Sequence, residues 1–134
     1  GPATFLRRAA RGETAAWIRG ARATLASMRP DGYTAFPTKM LASLACGTRV
    51  VYSGPEPGRS FAAAPGRGWS VDYEPAAVAS AMVAALQSPW SEDDRVAMAS
   101  LARDTLSLKA VGERLVDLVG RACGSGRRRR GRRS

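Results

Sequence analysis

The sequence lacks histidine altogether, and it contains only two cysteines, Cys46 and Cys123. Without an imidazole, the chain cannot form a Ser-His-Asp or Cys-His nucleophile system of its own, and neither a metal site nor a bound cofactor is expected. Two cysteines do not make a disulfide framework. No apolar run approaches the ~20 residues of a membrane-spanning helix. What remains is a chain of 134 residues, 45% hydrophobic, which suits one globular domain.

Lysine is scarce as well, because 19 of the 21 basic residues are arginines and only Lys39 and Lys109 are lysines. The net charge is +10, and the six arginines within residues 127–133 carry most of the excess. Residues 124–134 are therefore predicted to form a disordered, Arg-rich tail after a domain spanning residues 1–123. Such a tail either binds nucleic acid or an anionic surface by counterion release, or remains solvated with no specific partner.

Short apolar runs alternate with helical patterns along the domain. The runs predict strands at 4–6, 23–27, 50–52 and 68–72. The 3.6-residue periodicity and the capping residues predict six helices, at 13–20, 38–46, 59–64, 75–87, 92–103 and 108–118. This order is typical of an α/β domain with a parallel sheet, helices on both faces and further helices at the C-terminus. In such sheets ligands bind beyond the carboxyl ends of the strands, here within 7–11, 28–39 and 52–60.

The tryptophans and Cys46 are assigned structural roles. Trp17 and Trp69 are predicted to anchor the core, and Trp90 is predicted to cover a joint between two helices. Cys46 is predicted to be an inert side chain on the buried side of its helix.

The most specific motif is the stretch Pro37–Val51, which reads PTKMLASLACGTRVV. It resembles the pattern Pro-x-Lys-x-x-Glu-x-x-Ala-x-Gly-x-x-Val-Val of the C-terminal, nucleotide-sugar-binding half of retaining GT-B glycosyltransferases. Weaker flanking matches at Thr4–Leu6, Trp17–Ala23 and Gly68–Val71 follow in the same order, so the resemblance covers about residues 3–122. It implies a Rossmann-like half of a GT-B fold, with a missing N-terminal acceptor domain as its partner.

The resemblance implies that a nucleotide diphosphate sugar binds where the second helix begins. There the free N–H groups and the dipole favour an anion, and Thr38 and Lys39 would contact the pyrophosphate. Without the resemblance, the spacing alone favours Thr38 as a simple cap and Lys39 as a solvated side chain. With a shift of three residues, Asp31, Gly32 and Tyr33 match the acid-Gly-aromatic loop that the resemblance implies for the donor site, whereas a count without gaps gives Thr34. Their alternative role is an ordinary turn. Arg7 would line the nucleobase side.

One departure concerns Ala42, which stands where the family has a glutamate that holds the ribose hydroxyls. The loss of one charge-assisted hydrogen bond costs roughly 1.5–3 kcal/mol, or about 10- to 150-fold in donor affinity. The chain offers no catalytic residue of its own and is expected to be inactive alone. The alternatives left open are a non-catalytic scaffold or binding module, and binding of nucleic acid or an anionic surface through the tail.

The chain begins without methionine and without the apolar core of a signal peptide. This start is taken to indicate a fragment of a longer protein. Its expected location is the cytoplasm, with peripheral membrane association through the tail as a further option.

Overall fold

The computed structural model describes residues 3–31 and 36–130, and for residues 124–130 it describes the backbone only. Within these ranges the chain forms three strands and six helices. They follow the order α1 (Arg11–Gly20), β1 (Thr24–Ser27), α2 (Thr38–Ala45), β2 (Val50–Ser53), α3 (Gly58–Ala63), β3 (Gly68–Val71), α4 (Pro75–Gln87), α5 (Glu92–Leu106) and α6 (Leu108–Arg130).

The three strands form a parallel sheet in the order β1-β2-β3, so β2 is the central strand. Val51 lies between Leu25 and Trp69 in the register, and all four residues of β2 are buried. A continuous apolar strand such as Val50–Tyr52 is stable in this position because both of its faces are covered. The α/β class and the parallel sheet predicted from the sequence are confirmed.

Helices cover both faces of the sheet. On one face Val51 packs with Ala81 and Ala85 of α4. Tyr52 points to the opposite face, because successive side chains of a strand alternate. There α3 approaches so closely that a Cβ on Gly58 would lie 2.3 Å from the Tyr52 ring. The Thr24 hydroxyl, on the Tyr52 face by register, lies 2.7 Å from the Ser43 hydroxyl of α2, so α2 shares this face with α3. The predicted arrangement with helices on both faces is confirmed.

The N-terminal region differs from the prediction. Residues 4–6 do not form a strand, and Phe5 and Leu6 are 95% and 61% exposed. Trp17 is 43% exposed rather than part of the core, since α1 buries none of its residues. Residues 4–6 do not pair with the outer edge of β1, so no strand at that position lies under α1, and the main neighbour of α1 is α2.

The described contacts divide the chain into two units between Ser100 and Leu101, well inside the domain predicted for residues 1–123. The first unit holds the sheet, and the second holds the last turns of α5 and all of α6. The backbone of α6 continues to Arg130, past the joint expected at 124–126. Among the described helices, none has the length and apolarity needed to cross a bilayer.

Candidate functional site

The carboxyl edge of the sheet carries an open cleft between the end of β1 and the start of α2. This α2 cleft has a volume of about 320 Å³ and is walled by Ala26, Ser27 and Met28 on one side and by residues 36–39 on the other. Thr38 and Lys39, predicted from the sequence to contact a ligand, both line it. In open parallel sheets this edge is the usual position of a ligand.

The N-terminus of α2 faces this cleft with backbone donors that have no acceptor among the described residues. Pro37 is the N-cap, and no described side chain caps the helix. The N–H of Met40 bonds the Pro37 carbonyl oxygen at 3.0 Å, which leaves the N–H groups of Thr38 and Lys39 without a described acceptor. Thr38 is thus the first helical residue rather than a cap. The positive end of the helix dipole and two exposed polar side chains therefore favour an anion here.

The backbone of α2 is held firmly beneath these exposed side chains. Met40 and Leu44 are fully buried against the sheet. The Ser43 hydroxyl donates to the Lys39 carbonyl oxygen at 2.9 Å and lies 2.7 Å from the Thr24 hydroxyl of β1. The first turn of α2, with the N–H groups of Thr38 and Lys39, is therefore held in place, while the Lys39 side chain is exposed.

Phe36 anchors the residue that leads into α2. Its ring meets the Phe61 ring of α3 edge to face, with 4.8 Å between the centroids. Such a pair fixes the entry of the chain into the helix, and with it one wall of the α2 cleft.

Asp31 lies in a turn before the cleft and does not line it. Its carboxylate accepts two hydrogen bonds from the Arg29 guanidinium, at 3.2 and 3.0 Å, and both side chains are exposed. Gly32 and Tyr33, the other two residues of the predicted loop contact, lie outside the described residues. The structure therefore shows Asp31 in a local ion pair.

Arg7 and Ala42 also lie outside the cleft wall. Arg7 is exposed in the irregular segment before α1. Ala42 is exposed on α2, one turn after Thr38, so a methyl group occupies the position where the resemblance implies a carboxylate.

A second cleft at the same edge was missed by the sequence analysis. This α4 cleft, of about 420 Å³, is largely apolar, and it reaches Ser27, which also lines the α2 cleft. Its walls are Ser27, Ser53, Tyr73, Glu74, Pro75, Val78 and Ala79. The signal that could have found it is the position of residues 72–75, which directly follow β3 and therefore reach the same edge of the sheet.

Hydrogen bonds hold the rim of the two clefts in place. The Ser53 hydroxyl donates to the Asp72 carbonyl oxygen at 3.1 Å, and Arg59 pairs with the Asp72 carboxylate at 2.7 Å. The Tyr52 hydroxyl donates to the Pro55 carbonyl oxygen at 2.9 Å. Burial, and secondarily the charge of Glu56, raises the pKa of Tyr52, so this phenol remains a proton donor at neutral pH.

Arg49 has a shifted pKa but lies at the opposite, amino edge of the sheet. Its guanidinium stacks between Trp69 and Trp90, 4.7 and 4.5 Å from the ring centroids, and donates to the hydroxyl and carbonyl oxygens of Ser88. Desolvation lowers the pKa of Arg49, yet a guanidinium remains charged at neutral pH. The role of Arg49 is therefore to join α4 and its following turn to the sheet.

Within residues 3–31 and 36–130, no group of three or more His, Cys, Asp or Glu side chains is arranged to hold a metal ion. Comparison of the chain with known families, with curated proteins and with solved structures found no significant match. The α2 cleft, with the open end of α2, Thr38 and Lys39, is therefore the candidate site on chemical grounds alone.

Proposed function

We propose that this chain is the donor-binding part of a glycosyltransferase, a Rossmann-like half of a GT-B fold that binds a nucleotide diphosphate sugar. The observation that carries the proposal is the α2 cleft, where the N-terminus of α2 and the exposed side chains of Thr38 and Lys39 meet at the carboxyl edge of a parallel sheet. These groups suit a pyrophosphate. The resemblance of the motif that begins at Pro37 favours the pyrophosphate of a nucleotide diphosphate sugar.

In the proposed mechanism the chain positions the donor and supports the charge of its leaving group. The N–H groups of Thr38 and Lys39 and the Lys39 ammonium would face the diphosphate, on which negative charge grows as the bond to the sugar breaks. A fixed helix end can do this without reorganising during the reaction. The acceptor, and any group that assists it, would come from a partner domain, so this chain alone is expected to be inactive.

Ala42 leaves a second function open, that of a non-catalytic scaffold or binding module. No carboxylate stands on the exposed face of α2 one turn after Thr38, so a ribose would lose one charge-assisted hydrogen bond. A scaffold descended from such an enzyme would tolerate this loss. The two functions differ in whether a nucleoside diphosphate binds at the α2 cleft at all.

Calorimetric titration of UDP, GDP, ADP and dTDP into the full chain at physiological salt tests the proposal. We expect saturable binding of one diphosphate, and Lys39→Ala should weaken that binding about tenfold, because it removes a charged partner of the phosphates. Lys109→Ala is the matched control, since Lys109 is the only other lysine and lies in α6, outside both clefts.

Equal losses in the two lysine variants would indicate nonspecific charge attraction and contradict the site. The absence of binding to all four nucleotides, both alone and after addition of an acceptor-domain partner, would favour the scaffold.

A further inference from the structure

The α4 cleft has an apolar wall that contains an exposed aromatic ring. Tyr73 is 45% exposed, and no described ring or guanidinium stacks on it. Pro75, Val78 and Ala79 extend the wall along the first turns of α4. The volume of about 420 Å³ lies within the usual range of small-molecule pockets. A flat ring can therefore stack on Tyr73 and cover this apolar surface.

Glu74 and Ser27 add polar groups to the α4 cleft. Both side chains are exposed there, and among the described residues neither the Glu74 carboxylate nor the Ser27 hydroxyl has a hydrogen-bond or ion-pair partner. Ser53, by contrast, is fully buried and donates to the Asp72 carbonyl oxygen. A few free polar groups beside an apolar wall are typical of a ligand pocket, where they fix the orientation of a mostly apolar ligand.

The two clefts that meet at Ser27 differ in charge. Lys39 lines the α2 cleft, whereas Glu74 is the charged side chain among the described walls of the α4 cleft. The nearby Asp72 carboxylate is already paired with Arg59 at 2.7 Å. A phosphate is therefore attracted to the α2 cleft and repelled from the α4 cleft, which suits an uncharged group instead.

We propose that the α4 cleft binds the nucleoside of the donor, with the base stacked on Tyr73 and the ribose hydroxyls donating to the Glu74 carboxylate. This inference rests on the proposed function, because it requires a diphosphate at the α2 cleft. A carboxylate that accepts from ribose hydroxyls is common in nucleotide-binding α/β folds, and bases stack on aromatic side chains. Ala42 offers the ribose no carboxylate, and Glu74 supplies one at the same edge of the sheet.

The two ends of a nucleotide diphosphate sugar have different requirements. Its sugar must reach the acceptor, which in the proposed function comes from a partner domain, whereas its nucleoside can remain with this chain. A hexose carries hydroxyls around its ring and needs several polar partners, but the α4 cleft is largely apolar. A nucleobase has two apolar faces. The nucleoside is therefore the end of the donor that fits this cleft.

An apolar segment of the partner domain is the other candidate occupant of the α4 cleft. Such a segment would cover Tyr73 and the apolar wall, but it would also bury the Glu74 carboxylate. Burial of a carboxylate without a hydrogen-bond donor or a cation is costly. Ribose hydroxyls supply the donors, so a nucleoside satisfies the apolar wall and the carboxylate together.

Titration calorimetry of the full chain with the best-binding nucleoside diphosphate, and with inorganic pyrophosphate, tests this placement. We expect Tyr73→Ala and Glu74→Gln each to weaken nucleoside diphosphate binding about tenfold, through lost stacking and a lost charge-assisted hydrogen bond. Neither should weaken pyrophosphate binding, whereas Lys39→Ala should. Glu74→Gln should not weaken binding of the 2′,3′-dideoxy form of the same nucleotide, because that form lacks the hydroxyls that donate to Glu74.

Tyr73→Phe and Glu92→Gln are the matched controls. Tyr73→Phe keeps the stacking ring, and Glu92→Gln removes the same charge from the first turn of α5, outside both clefts. Both should bind the nucleotide like the parent chain. Because Glu74 makes no side-chain cap on α4 and both cleft residues are exposed, the variants should keep the thermal midpoint of the parent.

The outcomes that overturn this placement differ from the one that overturns the proposed function. Nucleotide binding that depends on Lys39 but not on Tyr73 and Glu74 would leave the donor site standing and assign the α4 cleft to the partner domain. Equal losses in Glu74→Gln and Glu92→Gln would indicate a general charge effect, and a gain of affinity in Ala42→Glu would place the ribose over α2. No binding of any nucleoside diphosphate would contradict the proposed function and this placement together.

Discussion

The two edges of the sheet are built in opposite ways. At the amino edge, polar and aromatic groups are bonded to one another: Arg49 is 6% exposed between two tryptophans, and the Trp90 indole donates to the Gly47 carbonyl oxygen at 3.0 Å. At the carboxyl edge, Thr38 and Lys39 are exposed beside open clefts. The amino edge therefore supplies rigidity, and the carboxyl edge leaves polar groups free for a ligand.

Arg95 of α5 adds hydrogen bonds between the amino edge of the sheet and the end of α1. Its guanidinium donates to the carbonyl oxygens of Arg19 and Ala21, at 2.9 and 3.1 Å. These carbonyls end α1, where a cation is favoured by the helix dipole. The comparison of the edges predicts that substitutions at the amino edge lower stability and leave ligand affinity unchanged, while substitutions at the carboxyl edge do the reverse.

The largest loss of folding stability is expected for Arg49→Ala. The substitution opens a cavity between Trp69 and Trp90 and removes two donors from Ser88, which should lower the free energy of unfolding by about 3 kcal/mol. Arg49→Met should cost less, because it keeps most of the volume and removes a buried charge whose Nε has no described partner. Urea unfolding measures both variants, and an equal loss in the two would show that charge, rather than packing, dominates this edge.

Gly47→Ala should be the next most damaging change. Gly47 has a φ of +71°, and a Cβ there would lie 2.5 Å from the Arg95 carbonyl oxygen, so backbone strain and a clash combine. We expect a loss of about 2 kcal/mol or more. Gly66→Ala is the control, because Gly66 has a φ of +78° but open space around it. If the two variants have the same thermal midpoint, the close approach of α5 is not rigid.

Ala42→Glu tests whether ligand affinity at the carboxyl edge of the sheet can be raised. If a ribose lies over α2, a carboxylate at this exposed position should raise the affinity for the bound diphosphate about tenfold, with little change in stability. Ala42→Gln separates charge from size. Titration calorimetry measures both, and equal affinities in the parent and the Glu variant would place the ribose away from α2.

The smallest change in folding stability is expected for substitutions at Ser91 and Asp94, which cap the start of α5. The N–H and hydroxyl of Ser91 donate to the Asp94 carboxylate at 2.9 and 2.7 Å, and these bonds hold the pKa of Asp94 below its ordinary value. Because the folded pKa is depressed, the stabilisation is present at neutral pH and is lost as the pH falls below about 4.

Asp94→Asn should therefore be slightly less stable than the parent at pH 7 and should lose less stability on acidification. Asp93→Asn is the control, since it removes the same charge from the same helical turn without breaking the cap. The free energy of unfolding of the parent chain and both variants, measured from pH 7 to pH 3, checks this expectation. A parent-like acid dependence in the Asp94 variant would mean that the cap does not form in solution.

The helices and strands from β1 to α5 could be predicted closely, because their signals are local, whereas α6 continues 12 residues past its predicted end at 118. Pro75 at the first turn of α4 and the Ser91–Asp94 cap mark helix starts, and both are confirmed. Trp90 lies between α4 and α5, and its indole donates to the Gly47 carbonyl oxygen just after α2. Cys46, half-buried, lies just after α2 rather than within it.

The errors occurred where a local pattern needs a distant partner. Residues 4–6 are apolar enough for a strand, and Trp17 suits a core. Residues 4–6 do not pair with the edge strand β1, and α1 then has no strand there to cover, so both stay exposed. Arg49 was not singled out at all, because a lone arginine before a strand carries no signal of the two tryptophans that enclose it.

By itself, the sequence determined the α/β class, the parallel sheet and the place of Thr38 and Lys39 at a helix start. These features follow from periodicity, capping and chain order, which act over a few residues. Only the tertiary structure decided that Thr38 and Lys39 border a cleft, that Asp31 pairs with Arg29, and that Arg49 is enclosed between aromatic rings. Those outcomes depend on which distant side chains exclude water from one another, and such contacts form only when the strands and helices pack together.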